Sequence, residues 1–214
     1  MIPLLHDFEG EIVLVFGGGT VGARKARRFT REAHVVVVSP SFVDADFGGA
    51  SRVRAAPDAS DVGAWIDSAD PALVVAATDD GGLNEAVTRA GRERGVLVNR
   101  ADEGGAREFG SVVVPATVRD GPVVAAVATG AKSPALSRYL RERIEETVHG
   151  AGAMAEMTAA LREDLKERLP SEGRQSALRA VVRSDEVWKA LDTPSTNPRQ
   201  VASDVISDVR SDST

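Results

Sequence analysis

The segment Glu11–Phe16, EIVLVF, runs directly into Gly17-Gly18-Gly19-Thr20-Val21-Gly22. No other feature restricts the fold of this chain as much. A short apolar run, a glycine cluster and then a helical stretch, Thr20 to Arg31, reads as strand, tight turn and helix. Gly17, Gly19 and Gly22 have the spacing G-x-G-x-x-G. In that arrangement the first glycine permits the turn, the second lets the backbone approach an anionic group, and the third lets helix and strand pack closely. The first turn of the helix adds free N–H groups and the positive end of its dipole. The pattern therefore predicts a pyrophosphate site, with Gly17, Gly18, Gly19, Thr20, Val21 and Gly22 as dinucleotide contacts.

Strand and helix signals continue to alternate. His34–Ser39 is β-branched, Arg52–Ala55 is a short candidate strand, and Ala72–Ala76 is apolar. Leu83–Arg94 reads as helix and Val96–Val98 as strand. Apolar strands without polar alternation imply a parallel sheet covered on both faces. The expectation is an α/β fold, a Rossmann-like doubly wound parallel sheet over residues 1–108. The second strand ends in Ser39-Pro40-Ser41, with no carboxylate for a ribose 2′-hydroxyl and no arginine for a 2′-phosphate in the turn. Asp44 and Asp46 come a few residues late. NAD is favoured over NADP, with Ser39, Pro40 and Ser41 at the ribose end. Thr78, Asp79 and Asn99, at the ends of later strands, are candidates for ribose or nicotinamide.

The pattern changes after Gly104-Gly105. Gly110–Pro115 and Pro122–Val127 read as strands joined by a hairpin turn at Arg119, Asp120 and Gly121. Ser133-Pro134 caps and opens a helix that runs to about Val148. These elements form a strand-rich segment with a helix over 109–148. Met154, Met157, Leu161, Leu165 and Leu169 then recur at helical spacing within a helical region, 149–192. Residues 193–214 are polar, with Pro194 and Pro198, and read as a flexible tail, with a weak helix over Val201–Val209 as the alternative.

A net charge of −6 argues against nucleic-acid binding, which needs a positive field. No apolar run nears the roughly 18 residues of a membrane helix, and the N-terminus lacks a signal-peptide pattern. With no cysteine in the chain, thiolate chemistry is excluded. A soluble, cytoplasmic protein is expected. The histidines, His6, His34 and His149, have no metal-ligand spacing, so no metal site is assigned.

The opening PLLHDFEGEIVLVFGGGTVGARKARRF resembles the start of the precorrin-2 dehydrogenase family, which includes the N-terminal part of sirohaem synthase and stand-alone relatives. The likeness continues through Val74–Asp80 with Leu83-Asn84, Val98–Asp102, Val114-Pro115, Thr129–Arg138 and Leu140–Glu145, covering about residues 1–148. The resemblance implies a small β dimerisation segment and a helical C-terminal region after the sheet, and a homodimer. It implies NAD-dependent oxidation of precorrin-2 to sirohydrochlorin; some relatives also insert Fe²⁺.

Asp102, just past a strand's carboxyl end, matches the aspartate credited with catalysis in the family. The substrate carries many carboxylates, so an acidic chain needs local cations. Lys132 and Arg138 are expected beside Thr129, Gly130 and Ser133 at a helix start, with Arg100, Arg107 and Arg119 as further candidates. Arg138 also has a reading as part of a solvated helix face. A short-chain dehydrogenase is disfavoured because Tyr139 is followed four residues on by Arg143, not lysine. The competing class is a non-catalytic NAD-sensing module, which shares the glycine loop but leaves the hairpin and the Ser133-Pro134 helix unexplained.

Overall fold

The computed structural model describes residues 3–101, 112–130 and 132–211. Contacts group the chain into two compact units, Met1–Val114 and Pro115–Thr214.

The first unit is built on β1 (Ile12–Phe16), β2 (His34–Ser39), β3 (Ser51–Arg54), β4 (Leu73–Ala76) and β5 (Leu97–Arg100). All pair in parallel, in the order β3-β2-β1-β4-β5. The crossovers are α1 (Thr20–Phe29), α2 (Val62–Ala69) and α3 (Gly81–Glu93). Side chains alternate along each strand, and both faces are covered. Leu14, Phe16, Val74 and Val98 pack with Val62, Ile66 and Val87 on the α2/α3 face. Val13, Val15, Val37 and Val75 pack with Ala23 and Ala26 of α1 on the other. This explains the unbroken apolar runs in the sequence. Helix α2 was not anticipated, because VGAWIDSA is short, starts without a side-chain cap and contains glycine. It is fixed from outside instead. Asp67 accepts from Nε and Nη2 of Arg94 at 2.6 and 2.9 Å, and that guanidinium holds the Asp67 carboxyl below its usual range.

The second unit starts with a hairpin of β6 (Ala116–Asp120) and β7 (Val123–Val127). The strand expected over Gly110–Pro115 is not found at its described residues, 112–115. Pro115 lacks an N–H to give a ladder, and pairing begins at Ala116. The turn is also tighter than expected. Arg119 and Asp120 pair with Val124 and Val123, leaving Gly121 (φ +52°) and Pro122 as the two loop residues. Helices α4 (Pro134–Val148), α5 (Ala151–Asp164), α6 (Ser171–Arg183), α7 (Asp185–Asp192) and α8 (Pro198–Ser211) follow.

Residues 198–211 correct the expectation of a flexible tail and instead match the alternative reading of a helix over Val201–Val209, extended to Pro198–Ser211. Asn197 Oδ1 accepts from the N–H groups of Arg199 and Gln200 at 3.1 and 3.4 Å, and Pro198 begins the helix. Ala202 and Ile206 are buried with Met154, Leu161, Ala177 and Val181. The polar average of this segment concealed one apolar stripe. The hairpin is also locked to α5. Asp120 Oδ2 accepts from the Gly152 N–H at 3.2 Å, and a Cβ on Gly152 would lie 2.7 Å from the Asp120 carbonyl oxygen.

Candidate dinucleotide site

In the order β3-β2-β1-β4-β5 the chain departs to opposite sides from β1. A crevice therefore forms at the carboxyl ends of β1 and β4, where ligands bind in such sheets. The glycine loop fills this edge, and its glycines divide the work. Gly17 (φ +120°) leaves room for β4's end: a Cβ there would sit 2.3 Å from the Ala77 carbonyl oxygen. A Cβ on Gly18 would meet the Ser41 carbonyl at 2.2 Å, so Gly18 admits the turn after β2, which bonds back from Val43 N–H to Gly18 O at 3.0 Å. A Cβ on Gly22 would collide with the Gly17 carbonyl. Around Gly19, by contrast, nothing lies within 4 Å.

Three glycines thus serve packing, and Gly19 presents bare backbone to open space. It is also the N-cap of α1, whose first turn has neither a side-chain cap nor an acid. Uncapped N–H groups, a positive dipole end and an open approach fit a pyrophosphate. Gly19, Thr20 and Val21 form the exposed rim, while Gly17 and Gly18 are buried beneath it. The residues present therefore fit a nicotinamide dinucleotide.

Ser39 ends β2 at the same edge and is buried, and Pro40 and Ser41, which follow it, are exposed. Thr78 and Asp79 lie there too, after β4. The Thr78 hydroxyl, however, is turned into its own loop. Thr78 N and Oγ1 reach Asn84 Oδ1 at 3.1 and 2.7 Å, and Asn84 Nδ2 donates to Thr78 O at 2.9 Å. Asp80 caps α3 by accepting from Gly82 and Leu83 N–H at 2.8 and 3.0 Å. In this loop Asp79 is the exposed carboxylate whose side chain is left facing solvent.

Asn99 is 5% exposed and works as a tie. Lys25 Nζ of α1 donates to its Oδ1 at 2.7 Å, and its Nδ2 donates to Val112 O at 2.7 Å. Lys25 is a site residue that sequence reasoning missed. Burial, then Arg28 and Arg24, lower its pKa from 10.5 to about 8. Its only signal was a lysine on a helix face that is otherwise apolar toward the sheet. Asp102, the expected catalytic carboxylate, lies outside the described residues, as does Arg107. Arg100 closes β5.

In the second unit, Thr129 Oγ1 donates to Ser133 O at 3.0 Å and lies 2.8 Å from Ser137 Oγ. Ser133 Oγ caps α4 through the Leu136 N–H at 3.2 Å. Gly130 takes φ +67°, and Lys132 is exposed. Arg138 is used in an exposed i,i+4 pair with Glu142 at 3.1 Å, followed by Arg141–Glu145 and Arg143–Glu146. That row matches the solvated-face reading of α4. Among the described residues no three His, Asp or Glu side chains cluster as a metal site, and no helix is long and apolar enough to cross a membrane.

Fold and site together define a dinucleotide-binding protein of the doubly wound α/β class. Residues 4–116 match the sequence family described as "Putative NAD(P)-binding". The chain is 33% identical to a precorrin-2 dehydrogenase of Methanosarcina barkeri over 201 residues, covering 89% of this chain and 86% of that protein. It belongs to the precorrin-2 dehydrogenase family. A siroheme synthase of Pseudomonas paraeruginosa is 36% identical over 177 residues, and there the match spans 36% of the relative's length. The solved structure of SirC, a precorrin-2 dehydrogenase, superposes with a TM-score of 0.69 at 22% identity, covering 97% of this chain and 100% of that one. At that identity the likeness concerns the fold.

Proposed function

We propose that this chain oxidises precorrin-2 to sirohydrochlorin with NAD⁺. The observation that supports it most is the open backbone at Gly19, at the uncapped start of α1, in a chain that matches a precorrin-2 dehydrogenase over 89% of its length. When bound, the dinucleotide supplies the acceptor for one hydride. The chain's own residues do the rest. Gly19, Thr20 and Val21 hold the pyrophosphate by backbone N–H, and Ser39–Ser41 border the adenosine end. The substrate must also lose a proton, and the Asp102 carboxylate is proposed to take it. Lys132 and the Gly130 turn are proposed to hold a substrate carboxylate. For Thr129 and Ser133 the proposal is a supporting part, since their hydroxyls shape that turn and cap α4.

We also propose a homodimer. Helix α4 has no buried residue, and Leu136 and Tyr139 on it are 47% and 58% exposed. An apolar surface of this kind suits a second copy. The cytoplasm is the proposed compartment, where the oxidised dinucleotide is supplied.

The test is an anaerobic assay with enzymatically prepared precorrin-2, following sirohydrochlorin absorbance. The wild type should form product, and Asp102→Ala should lose turnover while still binding NAD⁺. Tight dinucleotide binding without turnover in the wild type would favour the sensing-module alternative.

A further inference from the structure

A cleft of about 460 Å³ opens between α5 and α6 in the second unit. It flanks the seam where Leu161 and Leu165 pack with Ala177 and Val181. Four cations line it, Arg162 and Lys166 from the α5 side and Arg174 and Arg179 from α6. Leu178 is the one apolar residue in the lining, and no acid lines it among the described residues.

The chain as a whole carries a net charge of −6, and its arginines elsewhere find carboxylates. On α4, Arg138, Arg141 and Arg143 each pair with a glutamate three or four residues on. In the cleft, the guanidiniums of Arg162 and Arg179 have no hydrogen-bond or ion-pair partner among the described residues. Arg174 Nη1 donates to the Leu169 carbonyl at 2.9 Å, which fixes the group and leaves its remaining N–H donors for another acceptor. Lys166 meets Glu163 at 2.6 Å. Asp164, the next acid on α5, is taken by Arg199 at 3.3 Å. Arg162 and Lys166 also stand one turn apart, a spacing at which like charges repel. An anion held between the helices turns that repulsion into attraction.

Each guanidinium offers a planar fork that matches a carboxylate or a phosphate. Three forks and an ammonium around one cleft match a ligand with two or more such groups. With a single leucine and no ring in its lining, the cleft has little to offer a flat macrocycle, which needs an apolar wall. We infer that it is a binding site for a compact multivalent anion, a polyphosphate or a polycarboxylate. None of its residues belongs to the glycine loop, the Thr129–Ser133 turn or α4, so the inference stands apart from the function proposed above. A ligand that bridges α5 and α6 also stabilises the unit they build.

The experiment is calorimetric titration of the whole chain at constant ionic strength, with saturating NAD⁺ present to fill the glycine loop. Tripolyphosphate and citrate are the two probes, and orthophosphate and acetate are their single-group controls. The variants are Arg162→Gln, Arg179→Gln and the pair together, all at exposed positions, with folding checked by circular dichroism. At least one multivalent probe should bind the wild type and raise its melting temperature. The double variant should weaken that binding by about tenfold or more, each single variant showing part of the loss. Arg143→Gln on α4 removes the same charge and should change it by less than about twofold. Binding of tripolyphosphate alone or of citrate alone names the source as phosphate or carboxylate. Three results would each overturn the inference: no binding of either probe, single-group anions binding as tightly, or a loss in Arg143→Gln equal to that in the cleft variants. So would full binding by the double variant, which would put the anion elsewhere, whether or not NAD⁺ itself binds.

Discussion

Lys25 and Asn99, seventy-four residues apart in sequence, are joined by a 2.7 Å hydrogen bond between α1 and β5. Asn99 passes the connection on to the Val112 carbonyl, and the Val112 N–H donates to Val98 O at 2.7 Å. The chain thus leaves β5 and is gripped again beside it at Val112. The helix that opens at the pyrophosphate site is thereby tied to the strand after which Asp102 follows. An ammonium buried for this purpose must be desolvated, which is why its pKa falls to about 8.

That shift predicts a pH signature. Lysine in the unfolded chain titrates near 10.5, and Lys25 in the folded chain near 8. Between those values the unfolded state binds more protons, so this group's contribution to stability increases as pH rises from about 8 to 10.5. Below pH 8 both states are protonated and the burial cost is fully present. Thermal melts of wild type and Lys25→Met across pH 7–11 should differ by a curve that climbs through this window. A flat difference would mean that Lys25 is solvated.

The glycine loop predicts a separation of binding from folding. Gly19→Ala places its methyl in open space; it should keep the wild-type melting temperature and weaken dinucleotide binding by about tenfold or more. Gly17→Ala must adopt φ +120° and meet the Ala77 carbonyl, at a cost of about 2 kcal/mol or more. Urea titration and calorimetry on the two variants check this; if the loop were only a turn, Gly17→Ala would still destabilise but Gly19→Ala would leave dinucleotide binding unchanged.

Helix α8 predicts a stability effect where the sequence favoured a flexible tail. Ile206 is buried against the helical core, and Ile206→Ala should cost about 2–3 kcal/mol in urea unfolding of the second unit. A change below about 0.5 kcal/mol is what a mobile tail would give.

The exposed face of α4 predicts the oligomeric state. Wild type should elute as a dimer by light scattering, and Tyr139→Glu should shift it to monomer with its circular dichroism unchanged. An unaltered mass would move the interface elsewhere.

Much of the first unit was legible because its signals are local. The apolar runs, the glycine spacing and the strand–helix alternation each lie within a few residues of what they determine. What was missed depends on neighbours distant in sequence. Lys25 reads as a surface charge until Asn99 is set beside it. Thr78 and Asn99 were placed at the correct edge, but their polar atoms proved to be bonded within the fold, a competition that spacing cannot decide. In the second unit the hairpin slipped by several residues, because Val112–Val114 looks like strand while Pro115 withholds the N–H that a ladder needs. Helix α8 was read only as a weak alternative over Val201–Val209 because of the segment's polar average, even though Asn197-Pro198 is a start signal.

The contact between Gly121 and Gly152 bears on where this chain can be shortened. The motifs that carry the family resemblance in the sequence end near residue 148, which on their own would suggest that everything beyond is an appendage, although the match to the Methanosarcina barkeri protein covers 89% of the chain. Yet the tip of the hairpin rests its backbone on the first turn of α5, with a Cβ on Gly121 only 3.2 Å from Gly152 Cα. A cut at residue 148 would bare that glycine turn and leave Asp120 without the N–H it accepts from. The helical third is the floor on which the hairpin stands, and substitutions that loosen it should be felt first at the turn, far from any ligand.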